Sequence, residues 1–177
     1  MTKLKVPMKM KRTLRNLLII ILLLTNIGCD QISKSIVRQK VDFKENISVF
    51  YDFVTLTKVE NTGAFLSLGH NLPRIAYIIL LIIIPLIVLG YGLYYLLTSN
   101  LHSKLFILGL CLIVGGGFGN IIDRILYGSV TDFLHFNFVV FQTGIVNMAD
   151  ISVTAGFFIL IYELYINRPR LNPKISE

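Results

Sequence analysis

Four long stretches of the sequence contain almost no charged residues, and they constrain the fold of this chain more than any other feature. They cover residues 16–29, 75–101, 105–122 and 151–166, the last interrupted by Glu163 alone. A bilayer core takes ~20 mostly apolar helical residues to cross, so each stretch can supply a span if the first is extended to residues 14–33. With 54% hydrophobic and 15% charged residues, the chain is neither a soluble Rossmann-type enzyme nor disordered.

The positions of the charges predict the orientation in the membrane. Basic residues and no acidic ones precede the first stretch, and basic residues also follow the last one. Basic flanks of this kind are typical of cytoplasmic segments, so we expect both termini in the cytoplasm. The charge-balanced segment 30–72 and the segment 123–146 then lie outside. The net charge of +7 therefore reflects membrane topology, and we expect no nucleic acid partner.

The pattern predicts an all-α polytopic membrane protein with four transmembrane helices and a small extracytoplasmic β-rich element between the first and second helices. Residues 47–51 and 53–59 are rich in β-branched and aromatic side chains, which favours short strands. Pro85 predicts a kink in the second helix. The small-residue patch at 115–119 predicts a close approach between the third helix and a neighbour.

We interpret residues 1–177 as a single membrane-embedded domain. Within it, we expect a basic cytoplasmic arm at 1–13 and the extracytoplasmic β-rich segment at 41–67. A basic segment and an apolar stretch ending at Cys29 are also typical of a signal cut before a lipid-modified cysteine. Such a lipoprotein would continue as a soluble domain, so we expect the first stretch to stay as a helix. The lipoprotein alternative predicts a shortened mature chain.

Carboxylates in or beside the apolar stretches are the candidate functional groups, because an Asp near the bilayer centre costs ~2.5–3.5 kcal/mol. We expect Asp30, Asp123, Asp132 and Asp150 at one membrane level. Two carboxylates held within ~3 Å share a proton, so that one acts as base and the other as acid without a metal. We favour this role for Asp132 with Asp150. For Asp123 we favour a structural role, as a helix cap or as an ion-pair partner of Arg124.

The residues alone leave two classes of function open. A protease and a proton-coupled carrier or binding protein would both need intramembrane carboxylates. A carrier predicts transport without peptide cleavage, and the sequence has no inverted repeat that would favour it. Motifs of zinc proteases, serine hydrolases and phosphate-binding loops do not occur in the sequence.

Five motifs resemble, in the same order, those of the bacterial lipoprotein signal peptidases, which are type II signal peptidases and intramembrane aspartic peptidases. The motifs are Asp30-Gln31-Ile32-Ser33-Lys34, Asn61-Thr62-Gly63-Ala64-Phe65, Gly116-Gly117-Phe118-Gly119-Asn120-Ile121-Ile122-Asp123-Arg124, Gly128-Ser129-Val130-Thr131-Asp132-Phe133 and Asn147-Met148-Ala149-Asp150. They spread over most of the chain. Two positions depart from the family pattern: Val146 stands where the family usually has Phe, and Ile151 where it often has Ser.

The resemblance implies that Asp132 and Asp150 form a catalytic dyad that needs no metal or other cofactor. It implies that the substrate is a diacylglyceryl-modified prolipoprotein, cut by water before its lipid-modified cysteine. The supporting or substrate-binding residues that it implies are Asp30, Asn61, Gly63, Asn120, Asp123, Arg124 and Asn147. It places the protein in the bacterial cytoplasmic (inner) membrane, in contact with lipid, with the active site at the extracytoplasmic interface. We expect the protein to act as a monomer.

Overall fold

Four helices of the described structure are long and apolar enough to cross a membrane, as the sequence predicts. They are α1 (Arg12–Lys40), α2 (Arg74–Thr98), α3 (Lys104–Tyr127) and α4 (Met148–Ile166). The structure is a computed structural model that describes residues 11–43, 45–51, 53–63, 72–99, 103–138 and 141–167. Residues outside this described part include 1–10 of the predicted arm at 1–13, positions 44, 52 and 64–67 of the predicted β-rich segment at 41–67, and the basic residues after 167.

Helix α1 runs without a break through Cys29 and continues to Lys40, about two turns past the predicted membrane end. In its N-terminal half, Ile19 and Leu23 pack into a buried cluster with residues of α2 and α3. Its C-terminal turns are also packed against the protein, because Val37 is buried against Phe133 of the sheet. The first apolar stretch is therefore an integral part of the folded bundle.

Helix α2 contains a π-helical segment, Ile79–Ile83, immediately before the predicted kink position. Pro85 follows as one of the first residues of the next α-helical segment. Proline lacks an N–H group and its ring collides with the carbonyl of the residue four positions earlier. The wider turn before Pro85 is a local adjustment of the kind that accommodates such a residue within a helix.

Four strands of the described residues form one antiparallel sheet in the order β1-β2-β3-β4. Strands β1 (Ile47–Phe50) and β2 (Val54–Asn61) precede α2, whereas β3 (Val130–Phe138) and β4 (Phe141–Val146) follow α3. The prediction that the β-rich element lies between the first and second helices is therefore wrong for the sheet as a whole. The fold class is four apolar helices plus a small antiparallel sheet rather than an all-α bundle.

Pairing between β2 and β3 joins two segments of the chain, one before α2 and one after α3, into a single sheet. Val59 lies opposite Asp132, and Asn61 lies opposite Val130. The two segments are far apart in sequence, and their pairing covers one edge of each two-stranded unit whose backbone groups would otherwise lack partners in the sheet. Phe133 then packs against Val37 and Val41, which docks the sheet on the end of α1.

Glycines on α3 allow the close helix packing that the sequence predicts. A Cβ atom at Gly116 would lie 2.5 Å from the backbone oxygen of Ala149 in α4. A Cβ atom at Gly119 would lie 2.5 Å from Oδ2 of Asp30 in α1. Helix α3 is thus pressed against α1 and α4 at the level of the candidate carboxylates, and only glycine fits at these two contacts.

We predict that Gly119→Ala lowers the midpoint of thermal unfolding in detergent. The added methyl group must displace the carboxylate of Asp30, and overpacking of this kind costs ~1–3 kcal/mol. Gly90→Ala is the matched control, because a Cβ atom there meets nothing within 4 Å. Equal midpoints for the two variants would contradict the packing described here.

Candidate active site

Asp132 and Asp150 come from different elements and line the same cavity at one end of the helix bundle. The cavity has a volume of about 350 Å³. Strand β3 contributes Asp132, and the first turn of α4 contributes Asp150. Three polar residues named from the sequence also line it: Asn61, Asn120 and Arg124. Helix α2 supplies an apolar wall through Leu80, Leu81 and Pro85.

The local sequence fixes Asp150 by capping its own helix. Asn147 is the N-cap of α4, and its Oδ1 accepts a hydrogen bond of 2.9 Å from the backbone N–H of Asp150. Oδ2 of Asp150 accepts in return from the backbone N–H of Asn147 at 3.2 Å. This reciprocal capping box satisfies two backbone donors at the helix start. Its sequence signature is an Asn followed three positions later by an acidic residue.

Asp132 is buried in β3 between two side-chain amides. Nδ2 of Asn61 donates to Oδ2 of Asp132 at 2.9 Å, and Nδ2 of Asn147 donates to Oδ1 at 2.6 Å. Asn147 therefore contacts both carboxyl residues. Among the residues named from the sequence, Asn147 is the one that directly joins the strand to the helix.

Each of the three asparagines has its amide orientation fixed by a donor on its oxygen. The backbone N–H of Gly63 donates to Oδ1 of Asn61 at 2.9 Å, so the NH₂ group of Asn61 must face Asp132. Asn147 is fixed in the same way by its capping bond. The ammonium group of Lys34 donates to Oδ1 of Asn120 at 2.9 Å, which turns Nδ2 of Asn120 to Oδ1 of Asp150, also at 2.9 Å.

A cluster of four charges, three of them fully buried and one partly exposed, lies behind the cavity. Nζ of Lys34 is 2.8 Å from Oδ2 of Asp30 and 3.1 Å from Oδ2 of Asp123, and all three side chains have zero exposure. Arg38 completes the cluster with its NH2 atom 2.8 Å from Oδ1 of Asp123. Two positive and two negative charges balance, which is the condition for tolerating ions in an environment of low dielectric constant.

Asp30 and Asp123 thus form buried ion pairs between helices. The expected ion pair between Asp123 and Arg124 was wrong. Asp123 pairs with Lys34 and Arg38 instead of the adjacent Arg124. Arg124 donates instead to the backbone oxygen of Gly63 at 3.0 Å, across the cavity from α3. Oδ1 of Asp30 accepts from the backbone N–H of Ala149 at 2.9 Å and so ties α1 to the start of α4.

Lys34 and Arg38 are the important residues that sequence reasoning missed as site residues. Lys34 belongs to the first motif, but a lysine next to a predicted membrane end is usually interpreted as a solvated flank. The available signal was its spacing of four from Asp30, which places both side chains on one helix face. Arg38 continues that face by one more turn.

Burial raises the pKa of Asp132 to about 6, from an ordinary value of 3.8. That value already includes a smaller upward contribution to the pKa from the charge of Asp150 and downward contributions from the hydrogen bonds that Asn61 and Asn147 donate. Asp132 therefore keeps its proton more readily than an exposed aspartate. A carboxyl group with this property is suited to donate a proton near neutral pH.

We predict that Asp132→Asn raises the thermal midpoint relative to the wild type more at about pH 7.5 than at about pH 4.5. As the pH rises from about 4 to about 6, the unfolded chain releases a proton that folded Asp132 still holds, so the free energy of unfolding falls, by up to ~3 kcal/mol. Asparagine at position 132 does not titrate, so the variant does not undergo this fall in the free energy of unfolding. Asp42→Asn, at an exposed position, serves as control. A difference that is independent of pH would contradict the raised pKa.

Comparisons with known proteins agree with this fold and with the motifs. The family model of signal peptidase II matches residues 20–166. The chain is 38% identical over 143 residues to a lipoprotein signal peptidase of Streptococcus pneumoniae, which covers 81% of this chain and 88% of that one. A lipoprotein signal peptidase of Burkholderia mallei is 40% identical over 114 residues, 63% of this chain and 66% of its own length.

Two solved structures have the same fold. Both are described as bacterial membrane enzymes. The first has a TM-score of 0.78 at 24% identity and covers 90% of this chain and 94% of its own. The second has a TM-score of 0.74 at 25% identity, with coverage of 85% and 94%. At these identities, the likeness supports the arrangement of helices and strands.

Proposed function

The chain belongs to the signal peptidase II family, and we propose that Asp132 and Asp150 are the catalytic pair with which it cuts prolipoproteins. It is an aspartic peptidase that removes the signal peptide from prolipoproteins, in the bacterial cytoplasmic (inner) membrane. The alternative of a proton-coupled carrier is not supported, since the family and the relatives are peptidases.

One observation carries the assignment of the pair. Asp132 and Asp150 line one cavity and share Asn147 as a hydrogen-bonding neighbour, although they lie on a strand and a helix. The other two candidates, Asp30 and Asp123, are fully buried in ion pairs with Lys34. A carboxylate that exchanges protons with water and substrate has to reach the cavity. Of the four candidates, only Asp132 and Asp150 line it.

The pair works with one proton between its two members. Asp132, whose pKa burial raises, holds the proton, and Asp150 removes one from a water molecule in the cavity. The oxygen of that water attacks the carbonyl carbon of the scissile peptide bond, while Asp132 donates its proton to the developing oxyanion. Asp150 then passes the proton from water to the leaving amine. The C–N bond breaks as one hydroxyl of the tetrahedral intermediate returns its proton to Asp132 and the carbonyl re-forms, which restores the starting state of the pair.

The amides around the pair hold both carboxyl groups in position during these transfers. Asn61 and Asn147 donate to Asp132, and Asn120 donates to Asp150. Preorganised donors of this kind need no rearrangement as charge develops. Arg124 lines the same cavity and holds the backbone at Gly63, so it positions the β2 end beside the scissile bond.

The substrate enters from the bilayer and is recognised largely by apolar contacts. Leu80, Leu81 and Pro85 form the wall of the cavity on α2, and Val153 of α4 lines the same cavity. The signal helix lies against these spans, and the diacylglyceryl-modified cysteine stays at the interface with its acyl chains in lipid. The bond cut is the one before that cysteine. The basic flanks support an orientation with both termini in the cytoplasm and the cavity at the extracytoplasmic interface.

A single copy of the chain supplies every residue of the proposed site, so the enzyme acts as a monomer. Its other partner is membrane lipid, because the outward faces of α1 and α2 carry exposed leucine and isoleucine side chains. Nucleic acid has no part in this activity.

We predict that Asp132→Asn and Asp150→Asn each abolish cleavage of a diacylglyceryl-modified prolipoprotein while the protein still folds and inserts. Asparagine keeps the size of the side chain but cannot exchange the catalytic proton. Rates are measured with purified protein in detergent, and folding is checked by the thermal midpoint. Substantial residual turnover in either variant would overturn the assignment of the pair.

Asp123→Asn is expected to act by a different route. It leaves Lys34 and Arg38 with one carboxylate fewer, so the thermal midpoint falls, since breaking a buried ion pair costs ~3–5 kcal/mol. The protein that remains folded keeps measurable turnover. Complete loss of turnover in folded Asp123→Asn would place Asp123 in the chemistry and contradict its structural role.

A further inference from the structure

Lys34 is a fully buried lysine that makes three polar contacts. Its ammonium group has three N–H donors, and these match Oδ2 of Asp30, Oδ2 of Asp123 and Oδ1 of Asn120. Two ion pairs with acidic residues of α1 and α3 would suffice to stabilise the packing of those helices. The third contact is directed to an uncharged side chain that belongs to the proposed active site.

The contact with Asn120 determines which way its amide faces. Oδ1 of Asn120 accepts from Lys34 at 2.9 Å and from Nδ2 of Asn147 at 3.1 Å, so it is the oxygen that faces Lys34. Nδ2 is left to donate to Oδ1 of Asp150. With the amide reversed, an NH₂ group would face an ammonium group, and an oxygen would face a carboxylate. The reversed state is therefore excluded by repulsion at both ends.

We infer that Lys34 is a positioning residue for the peptidase reaction, acting through Asn120 to keep a hydrogen-bond donor on Asp150. This inference rests on the proposed role of Asp150. Asp30 assists, because its other oxygen holds the backbone N–H of Ala149, next to Asp150 in sequence. One face of α1 thus positions both α4, which carries Asp150, and the amide of Asn120, which donates to Asp150.

Replacing Lys34 alone would leave two buried carboxylates facing Arg38, so its effect on catalysis would be mixed with a loss of folding. The double variant Asp30→Asn/Lys34→Met avoids this problem, because Asp123 and Arg38 remain as a neutral pair. Asn at position 30 can still accept from Ala149 through its Oδ1 atom. The reference protein is then Asp30→Asn alone.

The experiment measures kcat and KM for cleavage of a diacylglyceryl-modified prolipoprotein by these purified proteins. We expect Lys34→Met in the Asp30→Asn background to lower kcat about tenfold to a hundredfold, with KM changed less than about threefold, as for loss of a charge-assisted hydrogen bond. Lys34→Gln should give the same fall. Its side chain is one bond shorter, so it stays polar in the cluster but does not reach Asn120.

A coupling test separates this role from a general loss of structure. In proteins that also carry Asn120→Ala, Lys34→Met should change kcat less than about twofold, because there is no amide left to orient. Asn26→Leu is the matched control: Asn26 joins α1 to Ser152 of α4 at 2.8 Å away from the cavity, so its loss lowers the thermal midpoint and leaves kcat unchanged in folded protein.

Two results would overturn the inference. One is an unchanged kcat in the folded Lys34→Met and Lys34→Gln proteins. The other is a fall that is equally large with and without Asn120. Failure of the proposed function is distinguishable from both, since it would appear as cleavage that survives Asp132→Asn or Asp150→Asn in the otherwise native chain.

Discussion

The structure depends on a neutral cluster of four charges, three of them fully buried, at one end of the bundle. Lys34 lies between Asp30 and Asp123, and Arg38 balances the second carboxylate. An unpaired charge at this depth would cost several kcal/mol, so each member fixes the positions of the others. Through these contacts α1 is held against α3. The bonds from Ala149 to Asp30 and from the backbone N–H of Thr131 to Asp123 extend the same constraint to α4 and to β3.

The proposed catalytic pair lies beside this charge cluster, and its two residues come from a strand and a helix. A strand carries Asp132 and a helix start carries Asp150, and Asn147 contacts both. The arrangement gives the two carboxyl groups different surroundings, which is how one can hold a proton while the other accepts one. The apolar wall on α2 faces them, so that the groups that do chemistry adjoin the groups that would bind a lipidated substrate.

Local sequence patterns predicted the helices and the candidate carboxylates because both follow from the cost of polar groups in a membrane. Four stretches with almost no charged residues give four helices. A carboxylate beside one of them, such as Asp150, is costly in a membrane and therefore indicates a function. Strands β3 and β4 were missed, although alternation from Leu134 to Phe138 was a weak signal. The pairing of β3 with β2 is non-local, as is the contact of Lys34 with Asn120, and neither can be derived from the periodicity of one segment.

The decisive experiment measures cleavage of a diacylglyceryl-modified prolipoprotein by the purified chain, with a metal chelator present and the masses of the products determined. We predict that a single peptide bond is cut, immediately before the lipid-modified cysteine, to give two products, and that the chelator does not change the rate. Cleavage at another bond, or a rate that the chelator abolishes and added metal restores, would contradict a peptidase that works with two carboxyl groups alone.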